Sequence, residues 1–162
     1  MTPPSLDAVL AKLAARGIAV PPGRVGLDTF GDTPELSREL VALIRDGRKR
    51  AGTSLLWAHE VEGEPLPEVG DVDVVVDYEG EPVVVTRVTS VRVTAFDEVD
   101  ADYAALEGEG DGSLAHWRAV HWVFFGRECA RIGRVQTEDM PVVCCAFEVL
   151  AVVPAPEADP GA

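Results

Sequence analysis

The sequence feature that most constrains the fold is the run at residues 83–94, where nine of twelve positions are valine or threonine. β-Branched side chains lose rotamer freedom in a helix and pack well on a pleated sheet. The run therefore predicts a β-strand. An α-helical alternative is disfavoured over its whole length.

Three further stretches have the composition of strands. Over residues 71–77, valines alternate with aspartates, which is typical of a strand with one buried face. Residues 142–153 are apolar on both faces, which predicts a central strand. Residues 51–59 are interpreted as a strand that carries Leu55 and Trp57 on one face.

Helix signals flank these strands. They predict helices over residues 5–17, from Thr33 to Gly47, within residues 97–105, and from Ser113 to Gly133. Because helices and strands do not alternate regularly, a doubly wound parallel sheet is disfavoured. The order predicts the α+β class, with a small, mostly antiparallel β-barrel and helices packed around it.

The length of 162 residues suits a single domain. We expect an N-terminal helical extension over residues 1–29, a main domain over residues 30–153, and a disordered Pro/Ala/acidic tail over residues 154–162. The sequence has no apolar run long enough for a transmembrane helix, and its start lacks the pattern of a signal peptide. These features predict a cytoplasmic protein that does not bind membranes.

Charge limits the choice of partners. The formal net charge of -14 disfavours non-specific binding to nucleic acids, which are polyanions. Arg48, Lys49 and Arg50 are the exception, since they place three consecutive cations between a predicted helix and a predicted strand. We therefore expect a ligand to bind in this basic segment.

The sequence predicts neither a metal site nor a cofactor. The three cysteines and three histidines do not have the spacing of zinc ligands. No Gly-rich phosphate loop and no G-x-S-x-G motif occur. On the long helix, Trp117 and His121 fall on the apolar face and are interpreted as core residues.

Four segments together carry a family resemblance. They are residues 30–34, residues 47–57 around the cations, residues 69–71 at a strand start, and residues 107–122 in the acidic loop and the next helix. In this order they resemble the ASCH-domain family, which is built on the PUA-like barrel. The resemblance spans about residues 30–150.

The family resemblance implies two kinds of activity and a set of site residues. Some members are ribonucleases, and others are amidohydrolases that deacylate N4-acylcytidine nucleosides with a lysine, a threonine and a glutamate. The lysine corresponds to Lys49, and the glutamate to Glu109, with Glu107 as the alternative. The threonine position holds Gly52, so Thr53 or Ser54 would have to take its place.

The leading hypothesis is a nucleoside-directed hydrolase with Lys49, Glu109 and Thr53 as catalytic residues. Its substrate would be an acylated cytidine-like base. The alternative is a non-catalytic module that binds single-stranded RNA or a modified nucleotide. In that case the ligand would contact Arg48, Lys49, Arg50 and Trp57, with Ser54 and Glu107 also at the binding site. Trp57 would stack on a base, as aromatic side chains do in single-strand sites. A ribonuclease is the third hypothesis.

Overall fold

A computed structural model describes residues 3–154 of the protein. The elements in chain order are α1 (Leu6–Ala15), β1 (Val25–Asp28), α2 (Pro34–Arg45), β2 (Ala51–Leu55), α3 (Leu56–Glu62), β3 (Val72–Val76), β4 (Pro82–Ala95), a 3₁₀ turn (Phe96–Glu98), α4 (Ala101–Glu107), α5 (Leu114–Ile132) and β5 (Pro141–Val152). Apart from Pro154, the predicted disordered tail lies outside the described residues. Among residues 3–154, none of the helices is long and apolar enough to cross a membrane.

The five strands form one mixed sheet in the order β1-β3-β4-β5-β2. The β1–β3 pair is parallel, and the other three pairs are antiparallel. The predicted α+β class and the mostly antiparallel sheet are therefore confirmed. No hydrogen-bonded pairing joins β1 to β2 within residues 3–154, so the sheet is not closed and the expected barrel is not confirmed.

The predicted strand over residues 51–59 is wrong in its second half. The strand ends at Leu55, and the next residue begins α3. Trp57 therefore lies on a helix, which ends at Gly63 in the left-handed conformation. Short apolar runs fit both periodicities, so the sequence pattern alone does not separate these two outcomes.

Strand β1 has no counterpart in the sequence predictions. It has four residues and lies within the predicted N-terminal extension, where it pairs with β3. Four residues are too few for a clear alternation of polar and apolar side chains. Its significance is that it brings residues 28–30 to the sheet.

Three apolar clusters stabilise the fold and position the helices. Helices α3, α4 and α5 pack on one side of β2 and β5. Helix α1 packs against β1 and β3, and helix α2 packs against β3 and β4. The first cluster matters most for the site, because it holds α4 and α5 next to the segment that follows α2.

Candidate active site

The side chain of Lys49 lies inside the protein, with 2% of its surface exposed. Its Nζ donates hydrogen bonds to the Ala51 carbonyl oxygen at 2.7 Å, to Glu107 Oε1 at 3.1 Å and to Glu109 Oε1 at 3.0 Å. An ammonium group has three N–H donors, and all three are used here. Lys49 is therefore held as a fully hydrogen-bonded cation.

The backbone around Lys49 explains how the two carboxylates reach it. Helix α2 ends at Arg45, Gly47 follows it in the left-handed conformation, and the Lys49 amide donates to the Leu43 carbonyl oxygen. The Arg50 amide donates to the Leu106 carbonyl oxygen at 2.7 Å, which ties the start of β2 to the end of α4. Residues 107–109 therefore lie directly against the lysine.

Gly108 makes this close approach possible. It ends α4 in the left-handed conformation with φ of 64°. A Cβ atom added at Gly108 would lie 2.2 Å from the Arg48 carbonyl oxygen, which no side chain tolerates. The glycine between the two glutamates is thus required both by its backbone conformation and by the space available.

Glu107 is the centre of the buried network. Its Oε1 accepts a hydrogen bond from Lys49 Nζ at 3.1 Å, and its Oε2 accepts from Thr53 Oγ1 at 3.1 Å and from the indole Nε1 of Trp117. The fourth partner is His121 Nε2, at 2.9 Å from Glu107 Oε2. Because only 1% of its side chain is exposed, Glu107 is closed off from a substrate.

His121 contacts both Glu107 and the backbone of its own helix. Its Nδ1 lies 2.9 Å from the Trp117 carbonyl oxygen, and its Nε2 lies 2.9 Å from Glu107 Oε2. The imidazole ring also stacks on the Trp117 ring, with 4.2 Å between the ring centres. These contacts hold the ring in one orientation beside the buried carboxylate.

The Lys49 ammonium faces two carboxylates, Glu107 and Glu109. Burial by itself would raise the pKa of Glu107, but Lys49 and His121 lower it to about 2. Glu107 is thus a permanent anion that organises its neighbours.

Glu109 is the carboxylate of the network that retains a free acceptor. It bonds to Lys49 through Oε1, and 15% of its side chain is exposed, compared with 1% for Glu107. Among the described residues, Glu109 is therefore the member of this network best placed to exchange a proton with a bound molecule.

The side chain of Thr53 belongs to the same network, whereas Gly52 contributes its carbonyl oxygen, which accepts a hydrogen bond from the Tyr103 hydroxyl at 2.8 Å. Residues 49, 51 and 53 fall on one face by the alternation of a strand, so the Thr53 hydroxyl reaches Glu107 Oε2 and lies 2.9 Å from the Tyr103 hydroxyl. Burial and Glu107 raise the pKa of Tyr103, so it stays a neutral donor. Gly52 faces the other way, towards Phe30.

The remaining predicted ligand residues do not join this network. Arg48 is exposed, Arg50 Nε donates to the Gly47 carbonyl oxygen, and Ser54 Oγ lies 2.8 Å from His59 Nε2. The ring of Trp57 is covered by the guanidinium of Arg134 at 4.8 Å. The basic segment thus contributes one buried cation to the site rather than a continuous basic surface.

Sequence reasoning missed four contributors to the site or its rim. Trp117 and His121 were correctly placed in the core, but their hydrogen bonds to Glu107 were not foreseen. Tyr103 had no motif that pointed to it, and Phe30 belongs to residues 30–34, which carried the family resemblance but received no role at the site. Across residues 3–154, no group of three or more His, Cys, Asp or Glu side chains is arranged to hold a metal ion.

The comparisons with known proteins agree with this architecture. A family model described as ASCH domain matches residues 26–151. No curated protein matches the chain.

Two solved structures are similar over most of their length. The first is an ASCH domain from Lactobacillus crispatus JV V101, with 38% identity, a TM-score of 0.75, and coverage of 78% of this chain and 79% of that one. The second is a protein from Enterococcus faecalis V583, with 30% identity, a TM-score of 0.74, and coverage of 88% and 85%. Both the family model and these structures show that the chain belongs to the ASCH-domain family.

Proposed function

We propose that this protein is a nucleoside-directed amidohydrolase that removes the acyl group from an N4-acylated cytidine-like base. The observation that carries the proposal is the buried Lys49 ammonium bonded to two carboxylates, of which Glu109 alone is partly exposed. A preorganised cation beside an accessible carboxylate is suited to amide hydrolysis. The first group stabilises negative charge, and the second moves a proton.

The reaction begins with water as the nucleophile. Glu109 takes one proton from the water as its oxygen forms a bond to the acyl carbon. Neutral Glu109 no longer balances Lys49, so one ammonium N–H becomes available for the oxyanion that forms on the acyl oxygen. The switch of this hydrogen bond couples proton transfer to charge stabilisation.

The second step returns the proton. The carbon–nitrogen bond breaks, and Glu109 donates its proton to the departing N4 nitrogen. The products are a carboxylic acid and the free amino base, so the water is fully accounted for. Glu109 then becomes an anion again and resumes its bond to Lys49.

Thr53 acts in this scheme as a positioning residue. Its hydroxyl proton is directed at Glu107, whose low pKa makes it a weak base. Water activated by Glu109 therefore replaces the hydroxyl nucleophile that the family resemblance suggested. Gly52 at the family's threonine position is compatible with this route.

The test is the release of cytidine from N4-acetylcytidine by the purified protein and by Glu109→Gln. The amide preserves the size of the side chain but cannot accept the proton, so kcat should fall by about 10²- to 10⁴-fold. Glu64→Gln is the matched control, because Glu64 is exposed and lies in the loop after α3. Its turnover should equal that of the unchanged protein.

Two results would contradict the proposal. Equal turnover by Glu109→Gln and the unchanged protein would remove Glu109 from the reaction. Absence of turnover above background in the unchanged protein would reject the amidohydrolase and leave binding of RNA or a modified nucleotide as the working function.

A further inference from the structure

Phe30 lies beside the reactive cation. The centre of its ring is 5.5 Å from Lys49 Nζ. Phe96, Phe125 and Phe147 are buried, whereas Phe30 is partly exposed in the loop that follows β1. The ring also packs on Phe147, with 6.2 Å between the ring centres, and its exposed part forms an aromatic surface at the rim of the Lys49 network.

Gly52 makes space for this ring. A Cβ atom added at Gly52 would lie 3.3 Å from Phe30 Cε1, tighter than most real contacts. Gly52 is not among the glycines with positive φ, so its backbone does not require glycine. A side chain at this position would press on the Phe30 ring, which links the departure from the family's threonine to an aromatic ring at the site.

Asp28 lies two residues before Phe30, at the end of β1. Because Gly26 is paired with Asp73 in the parallel β1–β3 ladder, Asp28 lies on the same face as Asp73. Its Oδ1 accepts from the Thr29 amide at 2.9 Å, and the residue as a whole is partly buried. Burial and Asp73 raise the pKa of Asp28 to about 7, while Lys49 acts in the opposite direction.

A carboxyl group that is half protonated near neutral pH has an unusual capacity. The protonated form has one O–H donor and one carbonyl acceptor side by side. The edge of a cytosine base presents the complementary pair, an N3 acceptor beside an N4–H donor. The aromatic face of the base is free at the same time to stack on a phenylalanine ring.

We propose that Phe30 and Asp28 form the base-recognition wall of the site. Phe30 stacks on the plane of a pyrimidine base, and the Asp28 carboxyl hydrogen-bonds to its N3 and N4 edge. This inference rests on the proposed function for the choice of cytosine, and it adds the two residues that would select the base. Lys49 and Glu109 then act on the acyl group attached at N4.

The first test measures binding of cytidine, the deacylated product, by calorimetry. Phe30→Leu keeps apolar volume but removes the aromatic face, so cytidine should bind roughly ten-fold more weakly. Phe30→Trp should retain binding. Phe124→Leu is the control, because Phe124 is a partly buried aromatic residue on α5. Equal affinity of Phe30→Leu and the control would overturn the stacking role.

The second test uses pH. Binding should be strongest below about pH 7 and weaken as the pH rises through it, because ionised Asp28 has no proton to donate to N3. The groups near Asp28 are Asp73 from β3, Lys49 from the segment before β2, and Cys145 from β5. Asp28→Asn isolates its contribution.

An asparagine amide has a donor and an acceptor at every pH, so Asp28→Asn should bind cytidine with an affinity that is flat between pH 6 and pH 8. Asp139→Asn is the control, because Asp139 is exposed in the turn before β5, and it should keep the pH dependence of the unchanged protein. A flat profile in the unchanged protein, or the same slope in Asp28→Asn, would overturn the role of Asp28.

The turnover assay separates this inference from the proposed function. Hydrolysis of N4-acetylcytidine with the same KM in Phe30→Leu and Asp28→Asn as in the unchanged protein would overturn the recognition wall and retain the amidohydrolase. Cytidine binding that depends on both residues, without any hydrolysis, would retain the wall and reject the amidohydrolase. If the protein shows no hydrolysis and no cytidine binding, both the recognition wall and the amidohydrolase are overturned.

Discussion

Lys49 carries one of the most fully buried side chains of the described structure, and two carboxylates depend on it. Removing one partner of a buried ion pair typically costs about 3–5 kcal/mol, because the other charge is left without compensation. We expect Lys49→Met to lower the free energy of unfolding by about that amount. Glu109→Gln should cost about 1 kcal/mol or less, since Glu109 is partly exposed. Urea unfolding measures both.

The pH dependence of the free energy of unfolding gives an independent check of the buried ion pair between Lys49 and Glu107. Glu107 has a pKa of about 2 in the folded protein, below the ordinary pKa of a glutamate. Its ionisation therefore stabilises the fold fully when the pH is above that ordinary pKa. This contribution is lost as the pH falls towards 2. Since Lys49 is the main cause of the lowering, the acid sensitivity should shrink in Lys49→Met. Equal unfolding free energies for Lys49→Met and Glu109→Gln would contradict the buried pair.

At the scale of residues, the sequence predicted which residues belong to the site better than it predicted what each of them does. Three consecutive cations in an acidic chain were enough to single out Lys49. The separate environments of Glu107 and Glu109 were not predictable, because the difference between them is their distance from solvent after α4 and α5 have packed. That distance depends on tertiary contacts between residues 58 and 60 positions apart.

At the scale of elements, the close contact between the end of α4 and the segment before β2 is the weak point of the site. Gly108→Ala would place a methyl group 2.2 Å from the Arg48 carbonyl oxygen, so the two segments must separate. We expect turnover to be lost. We also expect the free energy of unfolding to fall by more than it does when alanine replaces a left-handed glycine that has no close neighbour. Cytidine release and urea unfolding measure the two effects.

Gly133→Ala is the matched control for Gly108→Ala. Gly133 ends α5 with φ of 73°, and an added Cβ would meet nothing within 4 Å. It should therefore show only the strain of a left-handed alanine, about 1–2 kcal/mol, with turnover retained. If the two variants behave alike, the contact with Arg48 has no special importance.

Helix ends were the most predictable elements, because capping is a local property. Thr33 and Ser113 accept the expected hydrogen bonds from the amides of Leu36 and His116, and Gly133 ends the long helix. Strand β1 and helix α3 were not predicted. Both are short, and their identity is decided by the neighbours they pack against rather than by their own periodicity.

At the scale of the whole molecule, the net charge of -14 disfavours the binding of a polyanion but not of a neutral nucleoside. Salt screens charge interactions but has little effect on the binding of a neutral nucleoside. We expect kcat/KM for N4-acetylcytidine to change by less than about two-fold between roughly 50 and 200 mM salt. A steep decrease would contradict the recognition of the substrate as a neutral nucleoside.

The class of the fold was predictable from the sequence, but the closure of its sheet was not. Long β-branched runs and the irregular order of helices and strands led to a mostly antiparallel α+β structure. Closure would need a pairing between β1 and β2, and no residue pattern specifies which strand lies across an open seam. The sequence also gave no sign that β1 would supply a wall of the site.

The position of β2 in the sheet gives Lys49 a second consequence, which concerns self-association. Within residues 3–154, strand β2 pairs with β5 alone, so its other side is an edge, and sheet edges are templates for pairing between copies of a protein. The Arg50 carbonyl oxygen accepts from the Phe147 amide of β5, and neighbouring carbonyls alternate, so the Ala51 carbonyl oxygen points to the edge. Lys49 occupies that oxygen, and both residues are buried. We therefore expect loss of the Lys49 side chain to leave a backbone acceptor at the edge of the sheet without its partner and to raise the tendency of the protein to aggregate.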